Sequence, residues 1–320
     1  MTRDADTTDT STLSPDDAFG VLGDETRLEI LRALGDADVP LSFSELHDSV
    51  GTRDSGQFNY HLERLTGHFV RKAEEGYVLR RAGRRVIEAV LSGALTEDPT
   101  LARTRIDQPC WRCGAPIEVG WRAGSVEMYC TECSGRFRKR HGSEPRDPLT
   151  LDGYLGRLPL PPAGLQDRTP EGALRAAWIW GNLEMLSMAG GICPRCSATL
   201  DQEITVCEDH DATEGLCGSC KGRYAAGVRF ACTNCVFEAG GGFVVALLDD
   251  TDLLSFVTSH GLNPVSPESL RPLNEVHGDY DEEIISVDPF EARFTFHADG
   301  DSLALTVEGT TVTDATLTTG

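Results

Sequence analysis

The chain has 320 residues, 40% of them hydrophobic and 25% charged, which is ordinary for soluble globular protein and long enough for two or three folded units. Its net charge of −22 excludes a uniformly basic nucleic-acid binder, and the polar, acidic opening Met1–Asp17 excludes a secretory signal. No apolar run approaches the ~20 residues of a membrane span, so the expected setting is cytoplasmic, with no membrane partner.

The acid is unevenly spread. Arg53–Arg85 carries eight bases against four acids, and Arg103–Arg140 repeats that ratio, whereas from Asp201 onward twenty-two acids face five bases. Lysine is nearly absent (Lys72, Lys139 and Lys221), so basic function rests on arginine. An acidic, lysine-poor surface resembles that of salt-loving (halophilic) archaeal proteins, in which hydrated carboxylates keep the chain dissolved.

Taken in order, residues 1–14 read as a disordered acidic tail and 15–95 as one small helical domain. Leu28, Ile30, Leu31 and Leu34 lie along a helix that opens at Asp24 and closes at Gly35. A short second helix spans Leu41–Val50, with Ser42 or Ser44 near its start, and Gly51 permits the tight turn into a third. That third helix begins near Asp54 or Ser55. At about 100° per residue, Phe58, Leu62 and Leu65 share its inner side, while Arg53, Gln57, Tyr60 and Arg64 fall opposite, with Asn59 at the edge. Amide and guanidinium groups pair with base edges, and the small Ser55 and Gly56 allow close approach to a groove. Phe69–Lys72 and Tyr77–Leu79 form a two-stranded wing about Glu74–Gly76; Arg80, Arg81, Arg84 and Arg85 follow, suited to phosphates. The pattern is that of a winged helix-turn-helix that reads DNA, the alternatives being a plain small core or a winged helix that docks on protein. His61 reads as a packing histidine, with a titratable switch as the alternative.

The stretches Asp24-Glu-Thr-Arg-Leu-Glu-Ile-Leu31 and Asn59-Tyr60-His61-Leu62-x-x-Leu65 resemble the arsenical-resistance-type (ArsR-like) winged-helix regulators, over residues 15–95. The resemblance implies a homodimer on double-stranded DNA, its third helices in the major groove and its wings on the flanking backbone, with half-sites about 34 Å apart. Many such regulators sense metals through cysteines in the helix corresponding to 42–50. No cysteine stands there, so that sensor site is not carried over.

Ten of the eleven cysteines form five C-x2-C pairs, a spacing that suits metal better than a disulfide framework. Cys110, Cys113, Cys130 and Cys133 predict a zinc ribbon over 103–141, because Ile117, Val119 and Trp121 alternate and Val126 and Met128 alternate back after Ala123–Ser125. Four thiolates leave no open coordination position, which implies structural zinc. The cluster Arg136–His141 either extends a nucleic-acid footprint or is a solvated face. Residues 142–190 read as a linker, with a Pro/Gly-rich connector over Leu158–Gly164, and then a buried helix. That helix starts at Thr169-Pro170-Glu171, carries Leu174, Trp178, Trp180, Leu183 and Leu186, and ends at Gly190-Gly191.

Residues 191–237 hold Cys193, Cys196, Cys207, His210, Cys217, Cys220, Cys232 and Cys235; with His210 the ligands make three tetrads, hence three zinc ions. Sequential pairing is the first expectation: Cys193, Cys196, Cys207 and His210 in one site, Cys217, Cys220, Cys232 and Cys235 in the next. A cross-braced order, first pair with third and second with fourth, resembles RING-type domains and is the alternative. Residues 238–320 form an α+β region: an apolar stretch Phe243–Leu248, a helix from about Thr251 to His260, and a hairpin of Ala292–His297 with Ser302–Val307 around Asp299-Gly300. Val312–Leu317 can supply a third strand.

The expectation is therefore an α+β protein without a catalytic constellation: not an enzyme but a transcription regulator with structural zinc modules. The alternatives are a zinc-ribbon adaptor docking on the transcription machinery through protein contacts, and a thiol oxidoreductase, which needs an exposed low-pKa thiol beside a spare partner.

Overall fold

A computed structural model describes residues 13–136, 152–213, 215–267 and 269–320. The expected tail over 1–14 and the basic cluster after Arg136 lie almost wholly outside these residues. The chain divides into two compact units, 1–97 and 98–320.

In the first unit, α1 (Pro15–Leu22), α2 (Glu25–Asp36), α3 (Phe43–Val50) and α4 (Ser55–Leu65) precede a hairpin of β1 (Val70–Ala73) and β2 (Gly76–Leu79), and α5 (Arg81–Leu91) closes the unit. Each of the first four helices has a side-chain N-cap: Ser14, Asp24, Ser42 and Asp54. Ser42 forms a full capping box with Glu45, so two helix-end donors are satisfied reciprocally. Gly51 ends α3 at φ +69°, a left-handed turn that costs glycine no Cβ clash. Gly35 does not stop α2 as its composition suggests. The helix runs on to Asp36, and a Cβ at 35 would stand 3.3 Å from the Ile87 side chain, so the glycine admits α5 instead. Ile30, Leu31, Leu46, Phe58, Leu62, Leu65 and Val70 are all at most 1% exposed and form this unit's core.

Among the described residues the second unit is built on three antiparallel sheets. The first orders β3 (Leu101–Pro109), β4 (Pro116–Arg122), β5 (Ser125–Cys130) and β6 (Tyr154–Pro159). Its last strand takes in the start of what composition marks as a connector. A short 3-10 turn follows at Pro162–Leu165, then α6 (Pro170–Ala189), N-capped by Thr169 with Pro170 in its first turn. The second sheet is β7 (Leu200–Val206), β8 (Ala226–Cys232) and β9 (Glu238–Gly242). After a 3-10 turn at Phe243–Leu247 come α7 (Thr251–Ser259), α8 (Leu270–Gly278) and a four-stranded meander, β10 (Asp281–Val287), β11 (Phe290–Ala298), β12 (Asp301–Glu308) and β13 (Thr311–Thr318). The expected hairpin is β11–β12, turned by Asp299 and Gly300 at φ +50° and +94°, and the third strand is β13.

The segments separated in sequence at 103–141, 142–190, 191–237 and 238–320 share a core. Trp111 from the turn between β3 and β4 and Val119, Trp121 and Val126 from the first sheet meet Leu174 and Trp178 of α6, Phe243, Phe256 of α7, Leu273 of α8, and Phe294 and Phe296 of the meander. The helix α6 is buried on one side only: Leu174 is 1% and Trp178 6% exposed, but Trp180 is 47% and Leu183 51% exposed.

Candidate metal centres and nucleic-acid interface

The ligands of the second unit sit on knuckles with a repeated backbone. In four of them the first cysteine's N–H donates to the carbonyl five residues on: Cys110 to Ala115, Cys193 to Ala198, Cys217 to Gly222 and Cys232 to Phe237. In the first three of these the residue after the second cysteine turns back onto the first cysteine's carbonyl in the left-handed region: Gly114 at φ +76°, Ser197 at +62° and Lys221 at +62°. Backbone N–H groups inside the turns point at sulfur, as from Cys133 to Cys130 at 3.3 Å, Arg195 to Cys193 at 3.4 Å and Ser219 to Cys217 at 3.3 Å. Such donors stabilise thiolate over thiol.

Strand pairing then decides which knuckles meet. The β4–β5 register sets Ile117 opposite Cys130 and gathers Cys110, Cys113, Cys130 and Cys133. Cys110 Sγ lies 3.9 Å from Cys133 Sγ, and Cys113 Sγ 3.4 Å from Cys130 Sγ. Leu200 faces Cys232 across β7–β8, so the knuckle before β7 meets the one after β8: Cys193, Cys196, Cys232 and Cys235 form a second group, with Sγ pairs at 3.7 and 3.5 Å. At the other end of that hairpin Cys207, His210, Cys217 and Cys220 form the third.

The order is nested. This corrects both expected pairings, sequential and cross-braced, because a hairpin joins its outer ends to each other and its inner loop to itself. Within each group every ligand atom lies within 4.8 Å of the others. The sulfur separations are far above a disulfide's ~2.05 Å and close to the about 3.8 Å edge of a tetrahedron with 2.3 Å metal–sulfur bonds. Each of the three groups can hold a metal ion, and all twelve expected ligands are used.

The surroundings of the centres differ. Burial pushes the Cys110 thiol up to about 12. At the exposed Cys196 the Ala198 N–H and the Asn234 amide bring the thiol down to about 6. His210 directs Nδ1 at Cys220 Sγ (3.4 Å) and Nε2 at the Arg223 carbonyl (2.9 Å), an outer hydrogen bond that fixes the ring and its tautomer for a metal at Nδ1. Arg271 of α8, paired with Glu275 at 2.7 Å, lies beside the Cys110–Cys113 knuckle, where a Cβ on Gly114 would be 3.6 Å from its Nη1. Its positive charge offsets the surplus negative charge of four thiolates. Sequence spacing carries no sign of this partner, which comes from 158 residues further along the chain.

In the first unit, Phe58, Leu62 and Leu65 turn α4 inward, and Ser55, Gln57, Tyr60 and Arg64 are exposed, Tyr60 by 56%. Arg53 is exposed but stands just before the N-cap Asp54, off the helix. Asn59 is half-buried and donates its amide to Glu63 Oε1 at 2.8 Å. Arg80 stands at the N-cap position of α5 without a side-chain cap and its guanidinium donates to the Gly67 carbonyl, while Arg81 and Arg84 are exposed on the first turn of that helix. His61 is 6% exposed.

Residues 107–312 match the family described as Domain of unknown function (DUF7351), well over half of the chain. The chain belongs to that family. The DUF7351 match spans all three metal centres, and residues 15–90 separately match Domain of unknown function (DUF7347), which spans α1 to the last turn of α5. No curated protein and no solved structure matches the chain. Among the described residues no helix is long and apolar enough to cross a membrane.

Proposed function

We propose that the protein is a cytoplasmic, DNA-binding transcription regulator, whose first unit is an ArsR-like winged helix-turn-helix acting as a homodimer and whose second unit carries three structural zinc ions. One observation carries this reading. Helix α4 is anchored by Phe58 and Leu62, at 0% and 1% exposure, and offers Gln57, Tyr60 and Arg64 to solvent in a row that suits a major groove. The β1–β2 hairpin with Arg71 and Lys72, and Arg81 and Arg84 beyond it, supply phosphate contacts.

Zinc suits the donor sets, four sulfurs twice and three sulfurs with one imidazole once, at tetrahedral spacing. With every position taken by protein, the metal has no site for water and its role is structural.

The test is capture of genomic DNA fragments by the purified chain, with elemental analysis of the same preparation. Enrichment of a discrete set of fragments at three zinc per chain supports the reading. Tyr60→Ala and Arg64→Ala should abolish that selection with folding intact, and unchanged footprints refute it. The adaptor reading draws on the exposed Trp180 and Leu183 of α6, and zinc-replete protein that retains no DNA would favour it.

A further inference from the structure

Between the first sheet, α6 and β9 lies a cavity of about 360 Å³, within the size range of small-molecule sites. Its wall is rich in soft side chains. The chain holds four methionines, and all but Met1 border this one space: Met128, Met185 and Met188. Thioethers on unbranched stems adapt to an irregular apolar guest and make favourable contacts with aromatic rings.

The charged groups at the wall are already matched. Arg195 donates to Glu184 at 3.0 Å, and Arg229 to Glu238 at 3.0 Å. Neither Arg136 nor Arg157 is free. Burial pulls His277 down to about 4, helped by the charge of Arg136, so the ring is uncharged near neutral pH. The amides of Asn182 and Asn274 donate to the carbonyls of Pro264 and Leu270 at 2.7 and 2.9 Å. A charged guest would give up its hydration here and meet no unmatched charge in return.

Two neutral donors stand apart. Trp111, Trp121 and Trp178 are all buried, at 5%, 2% and 6% exposure. Trp121, which does not border the cavity, gives its indole N–H to the Leu160 carbonyl at 2.8 Å. Trp111 and Trp178 do border it, and their indole N–H groups have no acceptor among the described residues. A buried donor left without a partner is costly, and two of them at one apolar cavity point to an acceptor supplied by a guest.

We propose that this cavity binds an uncharged, mainly hydrocarbon molecule with an acceptor oxygen, of the aromatic ketone class. Its rings lie against Met128, Met185 and Met188, and its oxygen accepts from an indole N–H. The proposal does not rest on DNA binding, and its test involves no DNA.

The probe is propionyl-dimethylaminonaphthalene, an uncharged fluorescent ketone, titrated into the full-length zinc-loaded chain. Its controls are dimethylaminonaphthalene, which lacks the ketone, and dimethylaminonaphthalene sulfonate, which carries a charge. The ketone should bind saturably at one site per chain, roughly fivefold tighter than the ketone-free control and at least about tenfold tighter than the sulfonate. Filling the space with Met185→Trp or Val245→Trp, both at half-buried wall positions, should weaken it at least about tenfold, with zinc content and circular dichroism unchanged. Trp111→Phe or Trp178→Phe keeps a ring but removes the N–H, and one of the two should abolish the ketone's advantage over the ketone-free control. Absence of saturable binding overturns the proposal, as does binding that both filled variants retain while folded. A sulfonate that binds as tightly as the ketone overturns the uncharged class. A ketone advantage that is missing from the start, or that survives in both phenylalanine variants, overturns the assignment of the indole donors.

Discussion

His61 sets its Nδ1 3.4 Å from Asp24 Oδ1, the same oxygen that accepts the Arg27 N–H at 3.2 Å to cap α2. One carboxylate thus fixes the start of α2 and faces the buried side of α4. Arg27, 9% exposed, lies within 4.0 Å of it, so the Asp24-x-x-Arg27 pattern is a joint between helices and not a surface charge pair. Asp24→Ala should cost about 1–2 kcal/mol, the usual loss for an N-cap with a further polar partner removed. Hydrogen exchange of the α2 and α4 amides in the full-length chain would report it, with the second unit's amides unaffected.

Arg64 and Arg84 should fail differently. Arg64→Gln should change sequence preference, at a cost of roughly 1–3 kcal/mol at one base pair, as expected of a base-edge contact. Arg84→Gln should weaken binding to all sequences alike and reduce the slope of log affinity against log salt by about 1. Binding titrations across a salt series check both.

The metal centres have a spectroscopic signature. Cobalt substitution should give two sites with four-sulfur spectra and one with three sulfurs and a nitrogen, and His210→Cys should convert the third to the four-sulfur type. Cys196→Ser and Cys232→Ser should each lose the same one equivalent of zinc, and the double variant no more than that. A loss of two equivalents in the double variant would exclude the nested order and return the pairing to the sequential or cross-braced alternative.

Trp121 donates its indole N–H to the Leu160 carbonyl at 2.8 Å, tying β4 to the segment before α6 in a buried setting. Trp121→Phe keeps most of the apolar surface and orphans that carbonyl, so a loss of about 1–3 kcal/mol in urea unfolding is expected.

What could be read in the sequence follows from how local each signal is. Caps, the Gly51 turn, the inward row of α4 and the Asp299-Gly300 turn are set within a few residues, and they stand where the pattern puts them. The twelve ligands are equally legible, because a C-x2-C knuckle is a local turn. Their pairing is not, since every order has acceptable spacing and the choice is made by the β7–β8 register. The strands β3 and β10 and the helix α8 escaped for a related reason: Leu101–Pro109 is mostly polar and exposed, and α8 gains its apolar side only against the meander and β3. Gly35 misled because a glycine that admits a neighbouring helix looks like one that ends its own.

The nested ligand order also carries an expectation for the sequence of assembly. The third centre closes a short span, with His210 and Cys220 ten residues apart, while the second joins Cys193 to Cys235 across forty-two. Bringing the longer span together from an open chain costs about 1 kcal/mol more entropy, and less once the inner loop is already drawn in. An ion bound between His210 and Cys220 would therefore act as the first rivet of this region, and an outer ion would lock a hairpin that has already formed.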